Sequence, residues 1–250
     1  MQEQFKSDPF YYKAYGDYAM FTDPVTKAGG EKYTYQVPTY QALKGITEQI
    51  YWKPTLHYFM DSVKVIKKIQ TETKGIRTPL KNGSNDLDYY TYLRDVEYLV
   101  KFHFEWNLNR PELERDRNAI KHERMLLRAI SKGGRRDIFL GTRECVGYVE
   151  RLRANEFETA STAYDGEKIS FGIMFHSFNY PDERVQTAEK ENNLVSNFTD
   201  IAMSNGRIDF IRPEECQIHH KLRNYTIKKY TKDNMKSVDE ELKDIPEEEV

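Results

Sequence analysis

Aromatic and polar positions mix over residues 10–18 in a way that predicts a strand, with Gly16 as a bulge position. Residues 22–38 contain Gly29-Gly30 and two prolines and predict a long loop. Thr39 follows Pro38 as a helix cap. Leu43, Ile46 and Ile50 then recur at helical spacing, so a helix is expected to about Trp52, stopped by Pro54. Partial alternation at Phe59, Val63 and Val65 predicts a strand over 56–69, and Gly75, Pro79 and Asn82-Gly83 mark 70–88 as turns. Tyr, Val, Phe and Trp over 90–106 predict a long strand. Pro111 opens a second helix, with Glu112 and Glu114 at the positive end of its dipole. It should run to about Lys132 and end at Gly133-Gly134, with Ile120, Leu127 and Ile130 facing the core. Segments 138–140 and 144–152 predict one strand bent at Gly141.

The resulting order is strand, helix, strand, strand, helix, strand. This is the split βαβ pattern of an α+β, ferredoxin-like (RRM-like) domain, expected over 1–153. Such a sheet can stack RNA bases on aromatic side chains, yet the architecture serves many functions. Residues 154–232 predict a small β-rich C-terminal domain, a small β-sheet addition to the first. Its strands are expected at 169–178 and 207–211, with 194–203 undecided and a turn at Asn205-Gly206.

Charge changes the picture more than composition does. The 250 residues carry a net charge of −2, but 1–153 stand at +6 and 154–250 at −8. The last 18 residues alone hold 8 acids and 2 bases and read as a solvated, disordered tail over 233–250. A near-neutral total is therefore compatible with a polyanionic partner. Aromatic residues reach 13%, which excludes disorder throughout, and no run of about 18 apolar residues exists to span a membrane. The first residues have no apolar signal region, so the cytoplasm is the expected location. Two cysteines, Cys145 and Cys216, are too few for a disulfide framework. The glycosylation patterns Asn197-Phe-Thr199 and Asn224-Tyr-Thr226 are read as coincidence.

The second helix carries the strongest local feature. Arg117, Lys121, Arg124 and Arg128 fall on one helical face, a basic stripe suited to a phosphate backbone or to a solvated surface. His122 adjoins Lys121; a histidine can move protons near neutrality and a lysine can offset charge on a phosphorane. A surface histidine is the plainer reading of His122 alone. Tyr51 is a candidate donor and positioner, or simply a packing aromatic. Lys132, Arg135 and Arg136 flank Gly133-Gly134 in a segment that can hold phosphates or merely cap a helix. Cys216 and His219 have ligand-like spacing without a matching pair, so a surface turn is preferred to a metal site. His176, among aromatics, reads as structural.

Longer blocks carry a family resemblance. They are Tyr15-Gly-Asp-Tyr-Ala-Met-Phe-Thr-Asp-Pro24, Gly29-Gly-Glu-Lys32, Val37-Pro-Thr-Tyr-Gln-Ala-Leu-Lys-Gly45, Ile50-Tyr-Trp-Lys-Pro54, Gly133-Gly-Arg-Arg-Asp-Ile-Phe-Leu-Gly-Thr-Arg-Glu-Cys145 and Phe178-Asn-Tyr-Pro-Asp-Glu183. Together, over about 1–215, they resemble the subtype I-C (Dvulg) branch of CRISPR-associated family five. The resemblance implies a ferredoxin-like domain with a small C-terminal β-sheet. It implies a metal-independent endoribonuclease, needing no cofactor, that cuts precursor guide RNA at the base of the repeat hairpin. The products would be a 2′,3′-cyclic phosphate and a 5′-OH. The protein would then stay on the mature guide RNA's 5′ handle in the interference complex, beside family-seven backbone and family-eight large subunits. The branch's catalytic Tyr, Lys and His map to Tyr51, Lys121 and His122. Ser177 departs from the branch, which often has Gly there. Most family-five proteins only bind the handle, so a non-catalytic handle-binding subunit is the competing expectation. Nonspecific contact with duplex DNA is a further expectation, because backbone contacts carry no sequence information.

Overall fold

The computed structural model describes residues 5–24, 26, 31–81, 83–181 and 193–224. Gly29-Gly30, Tyr225-Thr226, the acidic tail over 233–250 and the Asp182-Glu183 end of one family block lie outside the described residues.

The chain enters through β1 (Phe10–Ala19) and a short β2 (Lys32–Tyr33), then forms α1 (Tyr40–Ile50). Thr39 caps α1 by accepting from the Ala42 amide at 3.2 Å. Tyr40, Leu43, Ile46, Thr47 and Ile50 form its buried face. After β3 (Leu56–Val65) comes a hairpin in the region expected to be turns, made of β4 (Thr71–Pro79) and the first part of β5 (Asn85–Trp106). β4 alternates exposed and half-buried positions with none fully buried, and its half-buried face of Glu72, Lys74, Ile76 and Thr78 is mostly polar, so hydrophobic alternation does not mark it; Pro79 sits at its end.

α2 (Ala119–Ser131) starts later than Pro111 predicts. Pro111–Asp116 is a separate 3-10 turn, and Asn118 takes the cap role by accepting from the Lys121 amide at 3.0 Å. Consequently Arg117 does not share the stripe of α2. Its guanidinium turns back to donate to the carbonyls of Asn107 and Arg110 at 3.3 and 3.2 Å. The helix phase also differs in part from expectation. Ile130 is buried and Leu127 packs against the core as expected, but Ile120 is 61% exposed, and Leu126 and Ala129 complete the buried face. The helix ends as expected, with the Gly133 and Gly134 amides closing onto the Ile130 and Ala129 carbonyls.

Beyond it, β6 (Ile138–Phe139) and β7 (Val146–Arg151) form an antiparallel hairpin rather than one bent strand. Gly141 makes the turn at φ +98°, and a Cβ there would lie 1.9 Å from the Met20 carbonyl oxygen. Gly16 likewise serves clearance, not a bulge: the β1–β5 register runs through it unbroken, and a Cβ would meet the Val146 oxygen at 2.8 Å.

The fold is mixed α/β and mostly antiparallel sheet. Its centre runs β3-β5-β1-β7, each neighbouring pair antiparallel, with α1 and α2 packed on one face. Tyr12, Val100, Phe102, Leu43, Ile46, Leu126 and Ile130 meet in that core. A helix α3 (Ala154–Thr159) lays Phe157 on the other face, 5.4 Å from the Tyr11 ring. The remaining strands are β8 (Lys168–Asn179), β9 (Asn193–Ser204), β10 (Arg207–Asp209) and β11 (Ile218–Asn224). They do not form a sheet of their own. β10 pairs with β3, so they extend the central sheet, because a short strand after the Asn205-Gly206 turn reaches its open edge. Among the described residues no helix is long and apolar enough to cross a membrane.

Candidate active site

The end of α1 and the start of α2 bring Tyr51, Lys121 and His122 together. Tyr51 is the C-cap of α1, where the backbone turns extended and its amide closes onto the Thr47 carbonyl. The Tyr58 hydroxyl on β3 donates to the Tyr51 carbonyl at 2.6 Å and fixes that turn. The Tyr51 hydroxyl then lies 3.0 Å from Nδ1 of His122 and 3.5 Å from Sδ of Met125.

The other ring nitrogen decides the tautomer. His122 Nε2 sits 2.8 Å from the backbone carbonyl oxygen of Asp116, which can only accept, so Nε2 carries the proton. In the neutral ring Nδ1 therefore offers a lone pair, and the phenol donates to it. Both rings are fully buried, and the Trp106 ring meets the imidazole edge-to-face at 5.8 Å. Burial pushes the Tyr51 phenol above its ordinary pKa, while Arg135 and Lys121 pull it down. Arg135 places its guanidinium 4.8 Å from the Tyr51 ring centroid.

Lys121 is the exposed member, with 44% of its side chain accessible. Its ammonium pairs with Asp116 Oδ1, which raises its pKa and keeps it charged at neutral pH. Asp116 is the residue that sequence reasoning missed. Its carboxylate also accepts from the Thr55 hydroxyl at 2.6 Å and stands 3.3 Å from His122 Nε2. The hydrogen bonds from Lys121 and then Thr55 hold this carboxyl down to about 2. Its only signal was an acid placed two residues before a strong N-cap, at the end of a turn the pattern had merged into the helix.

Arg124 and Arg128 are exposed on α2, and Lys132, Arg135 and Arg136 are exposed on the connection beyond it. They prolong the basic surface leading from Lys121, without Arg117. His122 is not a surface histidine. Cys216 and His219 do not converge: the thiol is buried with its Sγ 3.9 Å from the Arg212 carbonyl, and His219 Nδ1 is 2.8 Å from Asn197 Oδ1. Among the described residues no group of three His, Cys, Asp or Glu side chains is placed to hold a metal ion. His176 stacks on Tyr40 at 4.4 Å, and burial lowers its pKa to about 4. Ser177, the departure from the branch, places its hydroxyl 2.9 Å from His176 Nδ1 and accepts from Asn197 at 3.1 Å.

Comparison with known proteins bears on the family of the chain. Residues 11–211 match the Cas5d model of the family described as CRISPR-associated protein (Cas_Cas5). The chain is 26% identical over 220 residues to the CRISPR pre-crRNA endoribonuclease Cas5d of Mannheimia succiniciproducens, covering 78% of this chain and 91% of that one. It is 30% identical over 99 residues to the protein of the same name from Thermus thermophilus, covering 36% and 42%. Among solved structures, a CRISPR-associated protein aligns with a TM-score of 0.75 and 43% identity, over 88% of this chain and all of that one. A functionally uncharacterized protein from Streptococcus mutans aligns with a TM-score of 0.73 and 46% identity over the same shares. By the family model, which spans most of its length, the chain belongs to the CRISPR-associated Cas5 family, in the Cas5d branch of subtype I-C.

Proposed function

We propose that this protein is a metal-independent endoribonuclease that cleaves CRISPR precursor RNA within the repeat, at the base of the hairpin. It leaves a 2′,3′-cyclic phosphate and a 5′-OH. It then stays on the 5′ handle as a subunit of the type I-C interference complex, beside the family-seven and family-eight subunits. Two relatives named as pre-crRNA endoribonucleases support the reaction class. We also read the central order β3-β5-β1-β7, with its two crossover helices, as the ferredoxin-like arrangement.

One observation carries the reading: Tyr51 and His122, 71 residues apart, share a 3.0 Å hydrogen bond beside the Lys121 ammonium. RNA brings its own nucleophile, so the protein needs a proton acceptor, a proton donor and a cation. His122 is buried with Nε2 engaged, so its route to substrate runs through the Tyr51 phenol. The 2′-OH passes its proton to the phenol oxygen while the phenol's own proton moves to Nδ1. The imidazolium so formed is met by the Asp116 carbonyl and carboxylate. The 2′-oxygen bonds to phosphorus, the bond to the 5′-oxygen breaks, and the proton returns through the same pair to the leaving oxygen. Lys121 stays charged and offsets the extra negative charge on the phosphorane.

The alternative is a subunit that binds the handle without cutting. Its support is that both rings are buried and that Lys121 is already paired with Asp116. Incubating the protein with a repeat hairpin in excess chelator, and mapping the product ends, separates the two. Cleavage with a cyclic phosphate terminus, lost in Lys121→Ala and His122→Ala, supports the nuclease. Intact RNA in a stable complex supports the handle-binding subunit.

A further inference from the structure

A groove of about 550 Å³ opens beside the candidate active site, between the end of α2 and the β6–β7 hairpin. Its floor is unusual for a sheet edge. Tyr148 on β7 is 58% exposed, and Tyr15, its cross-strand partner on β1, lies beneath it at 5.5 Å between ring centroids. Tyr15 is fixed from below. Its hydroxyl donates to Glu150 at 2.8 Å, and the Lys13 ammonium sits 4.8 Å from its ring. The lower ring is thus held rigid, and Tyr148 turns its outer area to solvent. An apolar ring left open in this way lacks a partner of the same shape. The opposite wall carries Arg135 and Arg136, both exposed. Arg135 belongs to groove and active site alike, because its guanidinium also covers the Tyr51 ring at 4.8 Å.

A ring to stack on and two arginines lining the same groove match a nucleotide, with its flat base and its anionic phosphate. A duplex stem hides its bases in the stack, so the matching ligand is unpaired. We propose that this groove is a binding subsite for an unpaired nucleotide flanking the cleavage site. Its base stacks on Tyr148, and its phosphate is held by Arg135 and Arg136. The inference rests on the nuclease reading for the identity of the RNA, but not on cleavage itself.

The test uses the full chain and a repeat hairpin with a 2′-deoxy nucleotide at the scissile position, so that binding is read without turnover. A 2-aminopurine is placed at each unpaired position next to the stem in turn. Quenching is expected at one position in the wild type. It should be lost in Tyr148→Ala and kept in Tyr148→Phe and Tyr148→Trp. Stacking of one base predicts that Tyr148→Ala weakens binding by roughly 5- to 160-fold. The loss should vanish for a blunt hairpin without flanking nucleotides. Equal affinity in Tyr148→Ala, or an equal loss on the blunt hairpin, overturns the subsite even if cleavage proceeds. Position-specific quenching in a protein that does not cut the all-ribose RNA keeps the subsite and removes the nuclease reading. Unchanged RNA binding with loss of a protein partner in Tyr148→Ala would reassign the groove as a protein contact and overturn the proposal.

Discussion

Replacing Asp116 by Asn tests how the site is held together. The carboxyl stands at about 2 against 3.8 for an unperturbed Asp. At ~1.4 kcal/mol per pH unit, that gap corresponds to at most about 2.5 kcal/mol of stabilisation. The group is at the surface, with 28% of its side chain accessible, so solvent screening reduces this to about 1 kcal/mol. The folded carboxyl is depressed, so its contribution is complete above about pH 4 and disappears as pH falls toward about 2. Asn is neutral throughout and retains an oxygen for Thr55 and the carbonyl for His122. The expected result is a loss of about 1 kcal/mol at pH 6, or a Tm roughly 2–4 °C lower. The gap should close as both proteins are titrated toward pH 2.5 in urea unfolding. The same substitution removes a negative charge beside Lys121, so affinity for uncleavable RNA should hold or rise. A stability gap that ignores pH would refute the argument, as would an Asp116→Asn protein as stable as wild type at pH 6.

Tyr51→Phe should slow single-turnover cleavage about 100-fold or more, because the route from His122 to substrate is cut. It should also cost about 1 kcal/mol, since Nδ1 becomes a buried acceptor without a donor. Gly141→Ala should fail to fold, or lose at least about 3 kcal/mol in chemical unfolding, because Cβ and the Met20 carbonyl cannot both keep their places. Arg124→Ala with Arg128→Ala should reduce the salt slope of RNA binding by about 1 to 2, with cleavage of bound RNA little changed. Arg117→Ala should instead lower stability, because its guanidinium ties the turn before α2.

Much of the centre was legible because burial imposed a pattern. Leu43, Ile46 and Ile50 declared α1, and Tyr12 through Tyr18 declared β1. β4 was not legible, since its inner face is only half-buried and mostly polar, which leaves no hydrophobic alternation in the sequence, and Gly75 and Pro79 then read as turns. The start of α2 was misjudged because Pro111 can open either an α-helix or a single 3-10 turn, and only Asn118 closed the choice. That shift moved Arg117 off the basic stripe. Tyr51, Lys121 and His122 could be singled out, Lys121 and His122 by their adjacency and all three by family resemblance, yet their meeting depends on how α1 and α2 cross. Asp116 left only the faint signal of an acid two residues before the Asn118 cap, because its role comes from a backbone carbonyl and a carboxylate folded back over residues that follow it.

In the proposed reaction the attacking oxygen comes from the RNA and its proton moves through Tyr51 and His122. Single-turnover cleavage of a repeat hairpin with one 2′-deoxy nucleotide at the scissile position, in excess chelator, measures it directly. Full cleavage of the all-ribose RNA, none of the deoxy RNA, and equal binding of both are expected. Cleavage of the deoxy RNA at the same bond would contradict it.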